Sequence, residues 1–442
     1  MMDLRALEAP KQDDYLYGRG PAWFALAMTL ALMIFDYVDR QVIVSLFPYL
    51  KAEWHLSDTQ LGALVSVVSI TVALGALPVA LFADRVSRVK SIVAMAAVWS
   101  LATISCMWAR GYGALLTARA MVGLGEAGYG SVGAAVISSH FPSRLRGAVL
   151  AAFFASASVG SVLGVLLGGV IAARWGWQAA FGVVGIPGLL LALLYLKVRD
   201  YRTVAMAPSL DAKRQSLRAT ALHILKVLTR APTMLWVCIG GAAQLIVVSA
   251  LWSWLPSFLN RVHGVAPDKA GMQAALVVLA GAFGAVVWGA VVDRAGLRRP
   301  RRKLATLASL CLLSMVVLVA AFALASGTSA QFALIVLGGF LVTCTVGPVS
   351  AIVIDVVHPG VRATGASVLA LFQNLFGLAA GPFVAGLLSD AFGLVAALSA
   401  TPLFALVAVG AFMPAARSYE TDKAAAAELP STPDLPSAAQ AA

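Results

Sequence analysis

The stretch Ala80-Leu81-Phe82-Ala83-Asp84-Arg85-Val86-Ser87-Arg88-Val89-Lys90 returns in altered form as Gly289-Ala290-Val291-Val292-Asp293-Arg294-Ala295-Gly296-Leu297-Arg298. Each copy closes an apolar run, and each acid follows a glycine by 22 residues, Gly62 in one case and Gly271 in the other. Upstream, Leu46-Phe47-Pro48-Tyr49-Leu50 has its counterpart in Trp254-Leu255-Pro256-Ser257-Phe258. Downstream, His140-Phe141-Pro142-Ser143-Arg144-Leu145-Arg146-Gly147 is echoed by His358-Pro359-Gly360-Val361-Arg362-Ala363-Thr364-Gly365. Three matches in the same order along the chain mark an internal duplication.

Around these motifs the chain is apolar. Of its 442 residues 60% are hydrophobic and 12% charged, against roughly 25% charged in a soluble domain. That excludes a soluble globular enzyme. Apolar runs of membrane-crossing length are expected at about 22–48, 58–82, 91–109, 114–138, 147–173, 178–197, 233–260, 270–292, 303–325, 329–354, 364–389 and 392–414. The fold class is therefore all-α integral membrane: twelve transmembrane helices in two six-helix bundles. The domains read as a segment 1–21, a bundle 22–197, a linker 198–232, a bundle 233–414 and a disordered tail 415–442 rich in Ala, Pro, Ser and Thr. The polar first 20 residues show no cleavable signal peptide.

The net charge of +12 does not imply a nucleic-acid partner, because the basic residues sit in short connections. Of the 32 Lys and Arg, 25 fall in the terminal segments and the connections on their side, and five on the other side. The positive-inside rule then makes both termini cytoplasmic, in what reads as a bacterial inner membrane. The connection from Lys197 to Arg230 carries eight of the basic residues and a possible amphipathic stretch, Leu217–Leu228, which reads equally as a lipid-resting face or a solvated tether. Cys106, Cys238, Cys311 and Cys344 lie in apolar runs with no close sequence pair, so they read as packing residues, and neither a metal nor a cofactor is expected. Two similar bundles can rock about a shared site and open it to each side in turn, which points to a secondary transporter.

The duplicated turn resembles the signature of the major facilitator superfamily, Gly-x-x-x-Asp-Arg-x-Gly-Arg, and the resemblance covers nearly the whole chain. The first copy has Ala80 and Ser87 in place of glycines; the second keeps both glycines and shifts its arginine by one position. A carboxylate at such a helix end can pair with a base on a neighbouring helix and latch one state. Asp84, Arg85, Arg88, Asp293, Arg294 and Arg298 are the latch candidates.

Ionisable groups inside the spans are the sharpest functional signal, since each is costly in hydrocarbon unless paired or hydrated. The first span holds Asp36, Asp39 and Arg40; the fourth holds Arg119 and Glu126. Helical periodicity puts Asp36 and Arg40 on one face and Arg119 and Glu126 on another. Antiparallel register then sets Asp36 level with Glu126 and makes Asp39 the partner of Arg119. Three acids and two bases leave one carboxyl without a cation, and Glu126 or Asp36 is expected to carry a proton. Polar residues of the other half (Gln244, Trp252, Trp254, Gln373 and Asn374), with Tyr37 and Tyr129 of the first, are the expected walls of a substrate cavity. Gly160, Gly164 and Gly168, and Gly377, Gly381 and Gly386, form small-residue stripes that read either as ordinary packing or as a seam between halves.

Asp39-Arg40, Trp99-Ser100, Arg119 to Tyr129, Phe141-Pro142, Gly160-Ser161-x-Leu-Gly164, Gly176-Trp177-x-x-Ala-Phe181 and Gly185-Ile-Pro187-Gly188 resemble the spinster-type branch of the superfamily. That resemblance implies export of a lysophospholipid or sphingolipid-like amphiphile, with proton coupling in bacterial forms. The charge cluster is also similar to that of anion:cation symporters, which import sugar acids such as hexuronates and galactonate. The implied partners are such a substrate, protons and membrane lipids, with a monomeric chain. A non-transporting receptor on the same fold is a third class, disfavoured by charges retained in the spans.

Overall fold

The computed structural model describes residues 14–85, 87–200, 231–297, 299–324, 328–357 and 362–428, excepting the side chains at 77, 80–85, 328, 362–364 and 427–428. Most of the linker, 201–230, falls outside them. The described residues form helices without strands, and twelve spans are long and apolar enough to cross a bilayer. They are α1 (Arg19–Trp54), α2 (Asp58–Arg85), α3 (Arg88–Trp108), α4 (Tyr112–His140), α5 (Ser143–Trp175), α6 (Trp177–Tyr195), α7 (Pro232–His263), α8 (Pro267–Gly296), α9 (Arg301–Leu324), α10 (Ser329–Val356), α11 (Gly365–Phe392) and α12 (Leu394–Ala426). Hydrocarbon offers the backbone no partners, so helices satisfy their own carbonyls and amides.

The final helix runs on to Glu428, so the part of the expected disordered tail that is described is helical. Alanines favour the helix there, and side chains dock it. Tyr419 is buried and donates to Asp355 Oδ2 at 2.6 Å, while Asp422 accepts the Thr233 amide at 2.9 Å.

Two glycine stripes decide which helices touch. Cβ atoms at Gly160, Gly164 and Gly168 would run into the carbonyls of Ile34, Val38 and Val42, so α5 packs directly on the backbone of α1. Gly377 and Gly381 do the same for α11 against α7. These stripes mostly knit each half internally. The seam between halves instead uses Gly169 against Pro267, Gly271 against Val165, Gly62 against Pro382 and Gly386 against Asp58, which pairs α5 with α8 and α2 with α11.

The apolar cores match this division. One lies within the first half around Trp99, Tyr129 and Phe153, and another within the second around Cys311, Phe412 and Tyr419. A third spans both halves, with Phe47, Leu61 and Val165 against Trp254, Ala274 and Ala385. That bridging core sits towards the face opposite the termini, where a polar clamp joins it. Asp58 accepts Lys51 at 2.5 Å, Arg261 at 2.8 and 2.9 Å, and Ser389 at 2.5 Å. Asp390 in turn accepts the backbone amides of Asp58 and Thr59, both at 2.8 Å. The described halves are therefore locked together at the face opposite the termini.

Close approach of α5 to α1 predicts a clear cost for bulk. A Cβ at Gly164 would lie 2.6 Å from Val38 O, so Gly164→Leu should destabilise by ~1–3 kcal/mol or more and lower the melting temperature in detergent. Gly410→Leu, where nothing lies within 4 Å of the added carbon, should melt with the wild type. Equal melting of the two variants contradicts the packing described.

Candidate functional site

The site is built where α4 is broken. Its first segment ends at Glu126, Ala127 is extended, Gly128 turns at φ +84°, and a second segment runs Tyr129–His140. Only glycine adopts that φ without strain. Glu126 thus stands at the carboxyl end of a half-helix inside the bundle, where the helix dipole opposes an anion. In the other half α10 is interrupted at a comparable place, between Val342 and Val346.

All five ionisable residues expected from the sequence come together. Arg119 Nη1 donates to Asp39 Oδ1 at 2.9 Å and to Asp39 O at 3.2 Å, and neither side chain is more than 1% exposed. The expected pairing of α1 with α4 is thus present. Arg40 Nε donates to Asp36 Oδ1 at 2.9 Å and lies 3.0 Å from Glu126 Oε2 without hydrogen-bond alignment. A single N–H faces two carboxylates and points at one. This refines the expected arithmetic: Glu126 is not remote from cations but shares Arg40 with Asp36. Arg40, which stacks on Tyr37 with its guanidinium 5.3 Å from the ring centre, keeps 16% of its side chain exposed and is the accessible edge of the cluster.

Within the cluster four buried atoms lack hydrogen-bond partners among the described residues: both oxygens of Glu126, and Nε and Nη2 of Arg119. Polar atoms so enclosed carry a desolvation cost that a bound proton, water or anionic ligand would relieve. Sequence reasoning missed Thr103 on α3, whose hydroxyl donates to Asp39 Oδ2. Nothing in the sequence distinguishes this threonine from others in the spans. The clamp around Asp58 was also missed, although an acid opening a span above Gly62 is repeated by Asp268 above Gly271.

The proposed cavity walls mostly take packing roles. Tyr129 is fully buried and donates to Thr29 O at 2.7 Å. Gln244 points into its own half, donating to Ser314 Oγ and Val342 O at 3.1 Å. Trp254 lies in the seam, its indole donating to Pro382 O at 3.0 Å and its ring 5.2 Å from Phe47. Trp252 packs near Gly281. Gln373 and Asn374 are half-buried at the start of a π-helical turn, Gln373–Leu378, a feature frequent at functional sites. A cavity of about 670 Å³ opens between α3 and α4, lined by Leu101, Ser105, Ala114 and Met121 among others, and by none of these six residues or Tyr37. Cys311 and Cys344, distant in sequence, bring their sulfurs to 4.0 Å.

Of the latch candidates, Asp293 pairs with Lys303 of α9 at 3.3 Å, within its own half. Arg294 is exposed, Arg88 opens α3, and the side chains of Asp84 and Arg85, with Arg298, lie outside the described residues.

A family model described as Major Facilitator Superfamily matches residues 29–382 and 237–437. Protein spinster homolog 1 of Homo sapiens is 28% identical over 87% of this chain and 76% of its own length. The hexuronate transporter of Bacillus subtilis is 23% identical over 81% of this chain and 86% of its own. A crystal structure of a bacterial homolog to the human lysosomal transporter Spinster, inward-facing and unoccupied, superposes with a TM-score of 0.81 at 24% identity, covering 92% of this chain and 99% of that one.

The buried pair predicts strong coupling. Asp39→Asn strands the Arg119 charge and should destabilise by ~3–5 kcal/mol, seen as a large drop in melting temperature. Adding Arg119→Gln should recover much of that loss. A double variant whose melting loss equals the sum of the single losses would show that the two groups do not interact.

Proposed function

Since the chain belongs to the Major Facilitator Superfamily, and is therefore a transporter, we propose that it is a proton-coupled, alternating-access carrier of a lysophospholipid or sphingolipid-like amphiphile in a bacterial inner membrane. The observation that carries this reading is the buried cluster of Asp36, Asp39, Arg40, Arg119 and Glu126 at the break of α4. Arg40 cannot align one N–H with two carboxylates, so Asp36 and Glu126 compete for it. A proton on Glu126 ends the competition and leaves Arg40 to Asp36; its departure draws Arg40 towards Glu126 and pulls α1 against α4. A ligand that prefers one of these states shifts the balance between them. With the face of the termini read as cytoplasmic from the basic residues, the clamped face is outside and the clamp is the gate that must open for release. Latch residues Asp84 and Asp293 are assigned to the opposite closure.

A second reading has its own support. The buried Nε and Nη2 of Arg119 form an unused donor pair, a geometry suited to a carboxylate. In that case the substrate is a small organic anion such as a sugar acid, imported with a proton.

Reconstitution in liposomes containing a pH-sensitive dye separates the two. Lysophospholipid should drive proton movement in wild type and not in Glu126→Gln. Movement with glucuronate or galactonate alone reverses the ranking, and equal movement by Glu126→Gln removes that residue from the coupling.

A further inference from the structure

We propose that Thr103 of α3 is a positioning residue that reads the protonation state of Asp39 and passes it to a helix outside the charged pair α1 and α4. The inference rests on the proton-coupled reading above and adds to it a neutral side chain and a third helix.

The geometry is that of one hydrogen with two acceptors. Thr103 is buried; its hydroxyl reaches Asp39 Oδ2 across the interface, and it also lies 2.9 Å from Trp99 O, one turn back on its own helix. A hydroxyl has a single hydrogen to donate and two lone pairs with which to accept. With Asp39 ionised, the hydrogen goes to Oδ2, the stronger acceptor, and ties α3 to α1. When a proton from the aqueous face bonds to Oδ2, that oxygen becomes the donor: its O–H points to Thr103 Oγ1, and the threonine hydrogen turns to Trp99 O. The Thr103 hydroxyl and Asp39 Oδ2 each keep a hydrogen-bond partner in either state, and the direction of the bond between α1 and α3 is reversed.

The surroundings favour this role. The charged and titratable groups facing Asp39 are Arg119 and Glu126 from α4, Asp36 on its own helix, and Cys106 from α3. Arg40, next to it in sequence, is committed to Asp36 and Glu126. From α5, the side facing α1 is the glycine stripe. Oδ1 of Asp39 is taken by Arg119, and Thr103 is the described partner of Oδ2. Adjacent on α3, Ala102 and Ser105 line the groove of about 670 Å³ between α3 and α4, so a change in the hold on α3 is delivered to the wall of that groove.

Infrared difference spectroscopy of the full chain in detergent tests this directly, with the Asp39 carboxyl band identified by its loss in Asp39→Asn. Thr103→Val keeps the shape and removes the donor to the carboxylate; its titration midpoint should move to higher pH by about one unit. Thr103→Ser keeps the donor and should titrate with wild type. Superimposable titrations of wild type and Thr103→Val, or an Asp39 band absent across the titrated range, overturn the proposal. Should Thr103→Val fail to fold, Thr103→Ala is titrated in its place against the same two outcomes. Failure of the underlying reading looks different: wild-type liposomes then show no substrate-driven proton movement, whatever the infrared titration gives.

Discussion

A guanidinium with no exposed surface, held against one carboxylate in the middle of an apolar bundle, is the constraint to which the first half of this transporter is built. The Arg119–Asp39 pair is tolerable in hydrocarbon only while both partners are in place and aligned, because either charge alone is far costlier than the pair. Holding them together requires α1 and α4 to keep register. The glycine stripe on α5 clamps α1 by its backbone, Tyr129 ties the second segment of α4 to Thr29, and Thr103 secures the remaining oxygen of Asp39. The break after Glu126 belongs to the same economy of space: it ends a helix where Arg40 can reach the last side chain.

The pair and the shared arginine divide the labour. Arg119 and Asp39 are enclosed and matched, and in the proposed cycle Asp39 answers to a proton through Thr103 rather than by changing its basic partner. Arg40 is partly exposed and has two carboxylates for one N–H, and in the proposed cycle a single proton alters its allegiance. In the proposed cycle, that exchange lies within one half, while the barrier to the outside lies between halves, in the bridging core and the network around Asp58. Coupling then requires helices common to both. α1 runs from the cluster through Phe47, which packs on Trp254 of the other half, and so connects the site with the seam.

Much of this was legible in the sequence because it rests on periodicity and on the price of charge in oil. Span positions, the two-fold repeat and the meeting of Asp39 with Arg119 follow from run lengths, matched motifs and helical register. What escaped was set by packing. Which way Gln244 and Trp254 turn depends on neighbours from α9, α10 and α11, and no periodicity within α7 encodes it. Thr103 resembles any threonine bonded to its own helix until Asp39 is placed beside it. The described part of the tail, 415–428, is helical where its composition resembles disorder, because Tyr419 and Asp422 dock it onto the second half. The stripes of glycine were legible as close contacts, but their partners were not: of the six, five face a helix of the same half and Gly386 faces across.

The central claim is that the protonation state of the cluster sets which face of the protein is closed. Distances between spin labels on Gln60→Cys and Val395→Cys, placed on the two halves at the clamped face, measure this in lipid nanodiscs by double electron–electron resonance. The account predicts a distance distribution that changes with pH in the labelled wild-type background and is fixed when Glu126→Gln is added. A pH response of equal size with and without Glu126→Gln would contradict it.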